Sequence, residues 1–553
     1  MSNLSFEISE LSEDFWKWRA AQQPRSHDDI PRIERPDVWI PQWSAEKVDS
    51  YRQQIKEFEK RLFAIPVGTA SRPEVKLEDW VDHRLLQIAM ARIHWETDIL
   101  RLWQRQPRFY VDQTIGTVFD VLVRRSIGVK EIETVIRLFE SFPQTLKDAR
   151  NNLDGHAVRE FAQAAIHELS SIEEQLGEMT EELVKHCSKV IGPVLSAKLM
   201  QSAKVGLAEL VAFRTWVKEK LPGMPAVEPI GRETFRWFLS NVALLPFSCD
   251  ELLKIGNLEM DRATVLEAIV KNKHRHIPFL DLPVTANSQS ENEEKLEGQV
   301  RRFYEKEGIL SQPDTLKHYL NAPLPAYLKP IRWLGVTDDL TGPSRLHLDG
   351  VSYVPTPSTG MPYFYAANAR DPRAGIVHEG AHYQQLALSW NHPRKIRQHY
   401  YDSGSNEGIA FYNEELMLSA GLFDDAPHSQ SLIYNFMKLR ALRVVIDVSL
   451  AIGILNIESA TKYLVEKVPM DEVTAREEAT FFASCPGQGL TYQIGKTQII
   501  TLLADSLRAN PHAFDLKEFH DSLWLNGNVP IALQRLSLLR DSTELERAEQ
   551  LTI

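Results

Sequence analysis

Apolar residues recur three and four positions apart along most of the chain, with charged residues between them. The pattern is clear over residues 45–63 and 158–183, and it places the apolar side chains on one face of a helix. Between Pro323 and Pro372, dense proline, glycine and aromatic residues predict short strands or ordered loops. Within this segment, the aromatic run Tyr363-Phe364-Tyr365 has two interpretations: it forms an edge strand, or it packs against helices. Helical spacing resumes near Ala374, so we predict a mainly α fold with a small β element.

A polar stretch from Thr285 to Glu293 separates two parts of the chain. It is typical of a loop that leads into a helix, and Ser290 and Glu293 have the spacing of a capping box. Residues 1–285 are predicted to form a helical scaffold lobe, and the sequence of this lobe shows no catalytic or metal-binding motif. Residues 286–553 are predicted to form a catalytic lobe, and we expect the two lobes to make one continuous structural unit.

The composition is that of a large water-soluble protein, since 43% of the 553 residues are apolar and 25% are charged. A chain of this length buries enough surface to fold without a disulfide or a structural metal. A bound metal is therefore expected to serve chemistry. The net charge of −12, from 75 acidic and 63 basic residues, argues against a nucleic-acid partner, because phosphate binding needs a clustered basic excess.

The cysteines and the N-terminus indicate the compartment. Cys187, Cys249 and Cys485 are widely separated and none belongs to a CxxC pair, which suits a reducing environment. The N-terminus shows no basic segment followed by an apolar run, and no apolar stretch approaches membrane-spanning length. The sequence predicts a cytoplasmic protein with no membrane partner.

The segment His378-Glu379-Gly380-Ala381-His382 is the strongest chemical motif. Histidines four residues apart share one face of a helix, so their imidazoles can bind one metal ion. Glu379 borders that face and can reach a water at the metal without being a ligand. Catalytic zinc usually has three protein ligands and one open position, so a third ligand is expected elsewhere.

Glu407 is the preferred third ligand. It follows His382 by 25 residues, which leaves room for the first helix to end and for a second helix to pack against it. The small Gly408 beside Glu407 would let its backbone approach the metal closely. Glu414 and Glu415 are rival ligands, and all three could instead be surface carboxylates.

Further segments follow the HExxH motif in a characteristic order: 378–384, 407–414, 440–447, 486–495, 519–521 and 527–530. In these segments the chain resembles a bacterial family of unknown function, numbered 885, whose members are proposed zinc peptidases of the gluzincin (HExxH) type. The resemblance is closest in the C-terminal third, and segment 407–414 is similar to the family's EGWALYxE. It implies a large helical zincin-like fold with the small β element beside the metal-site helix. It also implies a Zn²⁺ cofactor and a peptide or related amide substrate.

The chain departs from the family pattern at two places. The family commonly has a longer His-Glu segment with Pro-Gly before the second histidine, whereas this chain has a compact HExxH. It also often has a histidine where this chain has Ala451. The metal site is expected to be kept, while the substrate and the reaction transfer less directly.

The expected mechanism is hydrolysis, in which Zn²⁺ held by His378, His382 and Glu407 activates water and polarises a carbonyl. Glu379 would act as the general base and pass the proton to the leaving amine. Tyr492 is the candidate donor to the oxyanion, with a core tyrosine as the alternative interpretation. Two other functions stay open: a specialised metal enzyme that acts on one small metabolite by hydrolysis or a non-hydrolytic reaction, and a non-catalytic helical metal-binding protein.

Overall fold

The computed structural model describes residues 3–26, 32–278, 281–283, 285–358, 361, 363–468 and 470–551. It is 69% helical and 3% strand. The predicted mainly α fold with a small β element is therefore confirmed. Among the described residues, no helix is both long enough and apolar enough to cross a membrane.

The first half of the chain is built from helices whose apolar residues form much of the buried core. Ser44 caps the second helix by accepting the Lys47 N–H at 3.3 Å, and this helix covers the predicted 45–63 segment. The predicted 158–183 segment forms two helices that are joined by a short 3₁₀ turn. The helices of this half are α1 (Asn3–Gln22), α2 (Ala45–Phe63), α3 (Leu77–His94), α4 (Leu102–Arg105), α5 (Pro107–Val111), α6 (Thr117–Leu122), α7 (Val129–Leu153), α8 (Arg159–Glu168), α9 (Ile172–Cys187), α10 (Pro193–Lys220), α11 (Arg232–Asn241) and α12 (Cys249–Lys273).

The second half contains the helices that hold the sequence motifs. Two of its helices make extensive contacts with long partners: α19 packs along α12 of the first half, and α18 packs along α22. Its helices are α13 (Ala286–Lys306), α14 (Tyr363–Arg370), α15 (Arg373–Ile376), α16 (Glu379–Ser389), α17 (Lys395–His399), α18 (Ser403–Ser419), α19 (Pro427–Ala451), α20 (Ile457–Lys467), α21 (Glu472–Ser484), α22 (Thr491–Ala509), α23 (Leu516–Leu525), α24 (Ile531–Leu539) and α25 (Thr543–Gln550).

A three-stranded sheet lies beside α16. Its central strand β5 (Gly350–Val354) pairs in parallel with β3 (Tyr319–Pro323) and antiparallel with β4 (Asp338–Asp339). A separate hairpin pairs β1 (Gly68–Thr69) with β2 (Arg72–Pro73). The Tyr319 ring of β3 stacks on the Tyr383 ring of α16, with centroids 5.7 Å apart. Glycine is needed at position 350, because a Cβ there would come within 2.9 Å of the Tyr383 ring.

Two local predictions are wrong. The run at 363–365 is the start of helix α14 and not an edge strand. The polar stretch after Thr285 is not a loop, because α13 begins at Ala286 and the capping box joins Thr285 to Ser288, not Ser290 to Glu293. Helix formation there is stabilised from outside, since the buried Glu293 accepts the Asn321 N–H of β3 at 2.7 Å.

Buried apolar clusters extend across the boundary predicted at residues 285 and 286. One cluster joins Ala263 of α12 to Tyr304 of α13 and Phe411 of α18. Another joins Leu183 of α9 to Tyr353 of β5. The division into a scaffold lobe and a catalytic lobe stays a prediction, while the packing runs through both parts of the chain.

Candidate metal centre

The two histidines of the HExxH segment meet at the start of α16. His378 is the N-cap residue of this helix, and the His382 N–H donates to the His378 carbonyl at 3.3 Å. The two imidazole rings stand 5.0 Å apart, centroid to centroid. His382 is buried, with 4% of its surface exposed. One helical turn therefore brings both rings to the same side of α16, as the four-residue spacing predicts.

Glu407 reaches this place from α18. Asp402 caps that helix by accepting the Ser405 N–H at 3.0 Å, so Glu407 lies in its second turn. Glu407 Oε2 stands 3.6 Å from His378 Nε2 and 3.4 Å from His382 Nε2. One potential ligand atom from each of the three residues lies within 4.8 Å of the other two. The structure thus brings together the three residues that the sequence predicts as ligands.

The three side chains fit a small divalent cation. Ligand atoms about 2.0–2.2 Å from a tetrahedral zinc ion stand roughly 3.3–3.5 Å from one another, which is close to the spacing of Glu407 Oε2 from the two imidazole nitrogens. Glu407 Oε2 is buried and forms no hydrogen bond with a described residue, which is costly for a carboxylate oxygen without a compensating charge. Burial favours the neutral form of Glu407, but His382 and His378 outweigh it and lower the pKa of the carboxyl far below its usual value.

Glu414, one of the rival ligands, supports His378 from the side away from Glu407. Its Oε1 lies 2.6 Å from His378 Nδ1, and Arg440 of α19 pairs with both Glu414 oxygens at 2.9 and 3.1 Å. A carboxylate on the second imidazole nitrogen is a common way to orient a metal-binding histidine. Burial and Arg440 disfavour the charged imidazole, whereas Glu407 and Glu414 favour it, and together they raise the pKa of His378 to about 9. A metal ion must therefore displace a proton from His378 at neutral pH.

Glu415 and Gly408 have other roles than the sequence suggested. Glu415 pairs with Lys496 at 2.7 Å and with Arg262 at 2.9 Å, apart from the histidines. The sequence suggested that Gly408 lets the backbone beside Glu407 approach the metal, but the structure gives this glycine another role. A Cβ at position 408 would come within 2.7 Å of the Gly495 Cα, so this glycine allows α18 and α22 to cross closely.

A cavity of about 590 Å³ opens onto the three ligands. Glu379 is partly exposed in its wall and forms no ion pair with a described residue. Asp338 of β4 lines the same cavity, and its Oδ2 accepts the Tyr319 hydroxyl at 2.6 Å. Burial and the Glu379 carboxylate raise the pKa of Asp338 to about 7. A volume of this size is typical of small-molecule and cofactor sites.

Tyr492 lies in the cavity wall. It is the second residue of helix α22, so it follows the glycine-rich loop at 486–490 and is not part of it. The preceding turn is fixed by the fully buried Asp447, which accepts the Gly487 N–H at 2.9 Å and the Leu490 N–H at 3.0 Å. Gly487 has φ +98°, which favours glycine. The Tyr492 ring is nearly parallel to the His378 ring, with centroids 6.4 Å apart and planes inclined by 11°. The placement is compatible with either an oxyanion donor or a packing role.

Ala451 does not line this cavity. It is buried at the C-terminal end of α19, and its carbonyl accepts the Gly231 N–H at 2.9 Å. It lines a smaller cavity with Pro229 and Pro486. The position where the family often has a histidine is therefore not part of the candidate metal centre in this chain.

Sequence reasoning missed the roles of Glu414, Arg440 and Asp338. Glu414 follows Glu407 by seven residues, which is two helical turns and the same face, so its spacing could have suggested a supporting role. Arg440 and Asp338 arrive from α19 and β4, and no sequence spacing connects them to the HExxH segment.

Comparison with known proteins identifies the fold and the family but no activity. The family model described as "Bacterial protein of unknown function (DUF885)" matches residues 33–536. A "putative lipoprotein of unknown function" from Shewanella oneidensis has a similar solved structure, with TM-score 0.71, 15% identity and coverage of 98% of this chain and 100% of that one. A "putative lipoprotein" from Colwellia psychrerythraea has TM-score 0.74 and 15% identity, with coverage of 97% and 98%. No curated protein matches the chain.

Proposed function

The chain belongs to the DUF885 family of bacterial proteins of unknown function, and we propose that it is a zinc-dependent hydrolase of the gluzincin type that cleaves a peptide or related amide bond. The observation that supports this most is the convergence of His378, His382 and Glu407 on one cavity, with Glu407 Oε2 3.6 and 3.4 Å from the two imidazole Nε2 atoms. Three protein ligands leave one position of a tetrahedral ion open, which is typical of catalytic zinc sites and not of structural ones. Glu379 lies beside them in the cavity wall.

The chain's own residues can perform the proton transfers of amide hydrolysis. Zinc, when bound, would supply Lewis acidity for the substrate carbonyl and lower the pKa of water. Glu379 has no basic partner among the described residues, so its carboxylate can accept a proton from the attacking water. The same proton then passes to the leaving nitrogen as the C–N bond breaks, and Glu379 returns to its starting state.

Zinc content tests the proposal directly. The purified protein is expected to hold about one zinc ion per chain, and the His378→Ala, His382→Ala double variant is expected to hold none. Metal content is measured by mass spectrometry after dialysis, with His156→Ala as the control because His156 is exposed and lies outside the cavity. Full occupancy in the double variant would place the metal elsewhere and contradict this assignment.

Tyr492→Phe tests the proposed oxyanion donor. The variant keeps the ring that lies against His378 and removes only the hydroxyl. Loss of one such donor is expected to lower kcat by roughly 10²–10³-fold. Affinity for substrate and zinc should stay nearly unchanged, because the charge develops only in the transition state. Kinetics and thermal melting are measured together, and normal turnover with a lower melting temperature would show that Tyr492 is a core residue.

A specialised enzyme for one small metabolite is the second candidate, and the limited cavity volume favours it. A peptidase is expected to cleave several members of a mixture of short peptides, whereas a specialist would leave the mixture intact. Mass spectrometry of a peptide-library digest distinguishes the two functions.

The cytoplasmic location predicted from the sequence stays a prediction. The two structural neighbours are each described as a "putative lipoprotein", which favours the cell envelope for those proteins. Fractionation of cells that express the natural gene decides the location of this chain.

A further inference from the structure

The carboxylates around the candidate metal centre differ in whether a cation compensates them. Glu414 pairs with Arg440, and Glu415 pairs with Lys496. Glu407 contacts both histidines and would be compensated by the metal. Asp338 and Glu379 line the same cavity as the ligands, and neither forms an ion pair with a described Lys, Arg or His. Neither of these two carboxylates is therefore balanced by a basic side chain paired with it.

Asp338 is held in a fixed position. The antiparallel register pairs Asp338 with Ser352, and the paired residues of two strands project from the same face of a sheet. Ser352 also pairs with Asn321 of β3, and Tyr319 lies two residues before Asn321, on the same face. The Tyr319 hydroxyl donates to Asp338 Oδ2 at 2.6 Å. Since the Tyr319 ring also stacks on Tyr383 of α16, the carboxylate is tied to the helix that provides both histidines.

Asp338 lines the same cavity as Glu379 and His382. In a peptide that is hydrolysed at its first bond, only the Cα atom separates the free ammonium group from the carbonyl that reacts. An ammonium group that enters with this carbonyl must therefore lie beside the general base. A carboxylate without a cation at that point is complementary to it in charge.

We propose that Asp338 binds the free α-ammonium group of the substrate, so that the site removes residues from the amino end of short peptides. This inference rests on the proposed hydrolase function and adds the substrate class to it. Water adds across the first peptide bond, and the products are a free amino acid and a peptide shortened by one residue. Asp338 is a specificity-determining residue here, while Glu379 keeps the proton-transfer role.

The experiment compares trialanine, N-acetyl-trialanine and trialanine amide with the zinc-loaded wild type. N-acetylation removes the positive charge and is expected to lower kcat/KM by roughly 10²-fold, whereas amidation of the C-terminus should change it little. Asp338→Asn is expected to raise KM for trialanine by a similar factor with a small change in kcat. The variant should treat trialanine and N-acetyl-trialanine almost alike, and that loss of discrimination is not expected from a purely structural defect.

Asp339→Asn is the matched control. Asp339 is the next residue of β4, and it pairs with Arg345 and accepts the Arg125 N–H at 3.0 Å instead of binding Tyr319. This variant should keep the preference for a free amino group. Asp338→Glu keeps the charge and should restore part of that preference.

Binding to the Glu379→Gln variant separates this inference from the hydrolase proposal, because turnover is not needed. Calorimetry is expected to show trialanine binding more tightly than N-acetyl-trialanine, with the difference lost when Asp338→Asn is added. Hydrolysis of both peptides at equal rates would overturn the role of Asp338 and leave the hydrolase proposal intact. If no peptide is hydrolysed but the free amine still binds in a way that depends on Asp338, the hydrolase proposal is overturned and the role of Asp338 stands. If no peptide is hydrolysed and the two peptides bind equally or not at all, both proposals are overturned.

Discussion

Glu379→Gln is expected to lower turnover by roughly 10²–10⁴-fold, the usual cost of removing a general base, while zinc content and melting temperature stay close to those of the wild type. Glutamine has nearly the same size as glutamate but cannot accept the proton of the attacking water. The side chain is partly exposed in the cavity and forms no ion pair with a described residue, so the substitution breaks no ion pair among them. Steady-state kinetics with a peptide substrate and metal analysis of the same sample measure both quantities.

The control for this variant is Glu458→Gln, the same substitution on the exposed face of α20. Among the residues that the structure describes, Glu458 forms an ion pair with Lys462 alone, at the surface, and such pairs contribute little to stability. Turnover near the wild-type value in Glu379→Gln with zinc retained would assign the proton transfer to another group. Loss of zinc in the same variant would instead show that Glu379 contributes to metal binding.

The ligand set could be predicted from the sequence because local helix geometry fixes most of it. His378 and His382 are one helical turn apart, and Glu407 needs only one further helix that returns against the first. Asp338 could not be predicted in this way. It reaches the cavity through the register of β4 on β5 and through the Tyr319 hydroxyl, and both depend on tertiary packing.

The two wrong local predictions both rested on local composition. Aromatic residues favour strands in general, which suggested a strand at 363–365, but the structure places these residues in α14. Polar residues at 285–293 suggested a loop, yet several polar side chains of α13 are buried and paired there. Glu297 contacts Arg301 and His318, and Glu293 accepts a backbone N–H of β3. At α13, partners distant in sequence outweigh local propensity.

Glu407→Ala is expected to weaken zinc binding more than the corresponding changes at Glu414 and Glu415, by more than 10²-fold, because only Glu407 faces both imidazole Nε2 atoms. Glu414→Ala should weaken it by roughly 10–100-fold, the usual cost of losing a carboxylate that orients a ligand. Glu415→Ala should leave zinc affinity nearly unchanged, since Lys496 and Arg262 hold that side chain away from the site. Competition titrations with a chromophoric chelator give the three affinities.

The melting temperature of the metal-free protein distinguishes the role of Glu414, which supports His378, from that of Glu407, the proposed ligand. Glu414→Ala leaves the buried Arg440 without its carboxylate partner, and an unpaired buried charge is strongly destabilising. Its melting temperature should therefore fall even without zinc. Glu407→Ala removes a proposed zinc ligand and leaves the pair of Glu414 with Arg440 in place, so zinc should raise the melting temperature of the wild type but not of this variant. A titration that ranks Glu414 or Glu415 above Glu407 would overturn the choice of third ligand, and zinc would then have to bind on the Nδ1 side of His378.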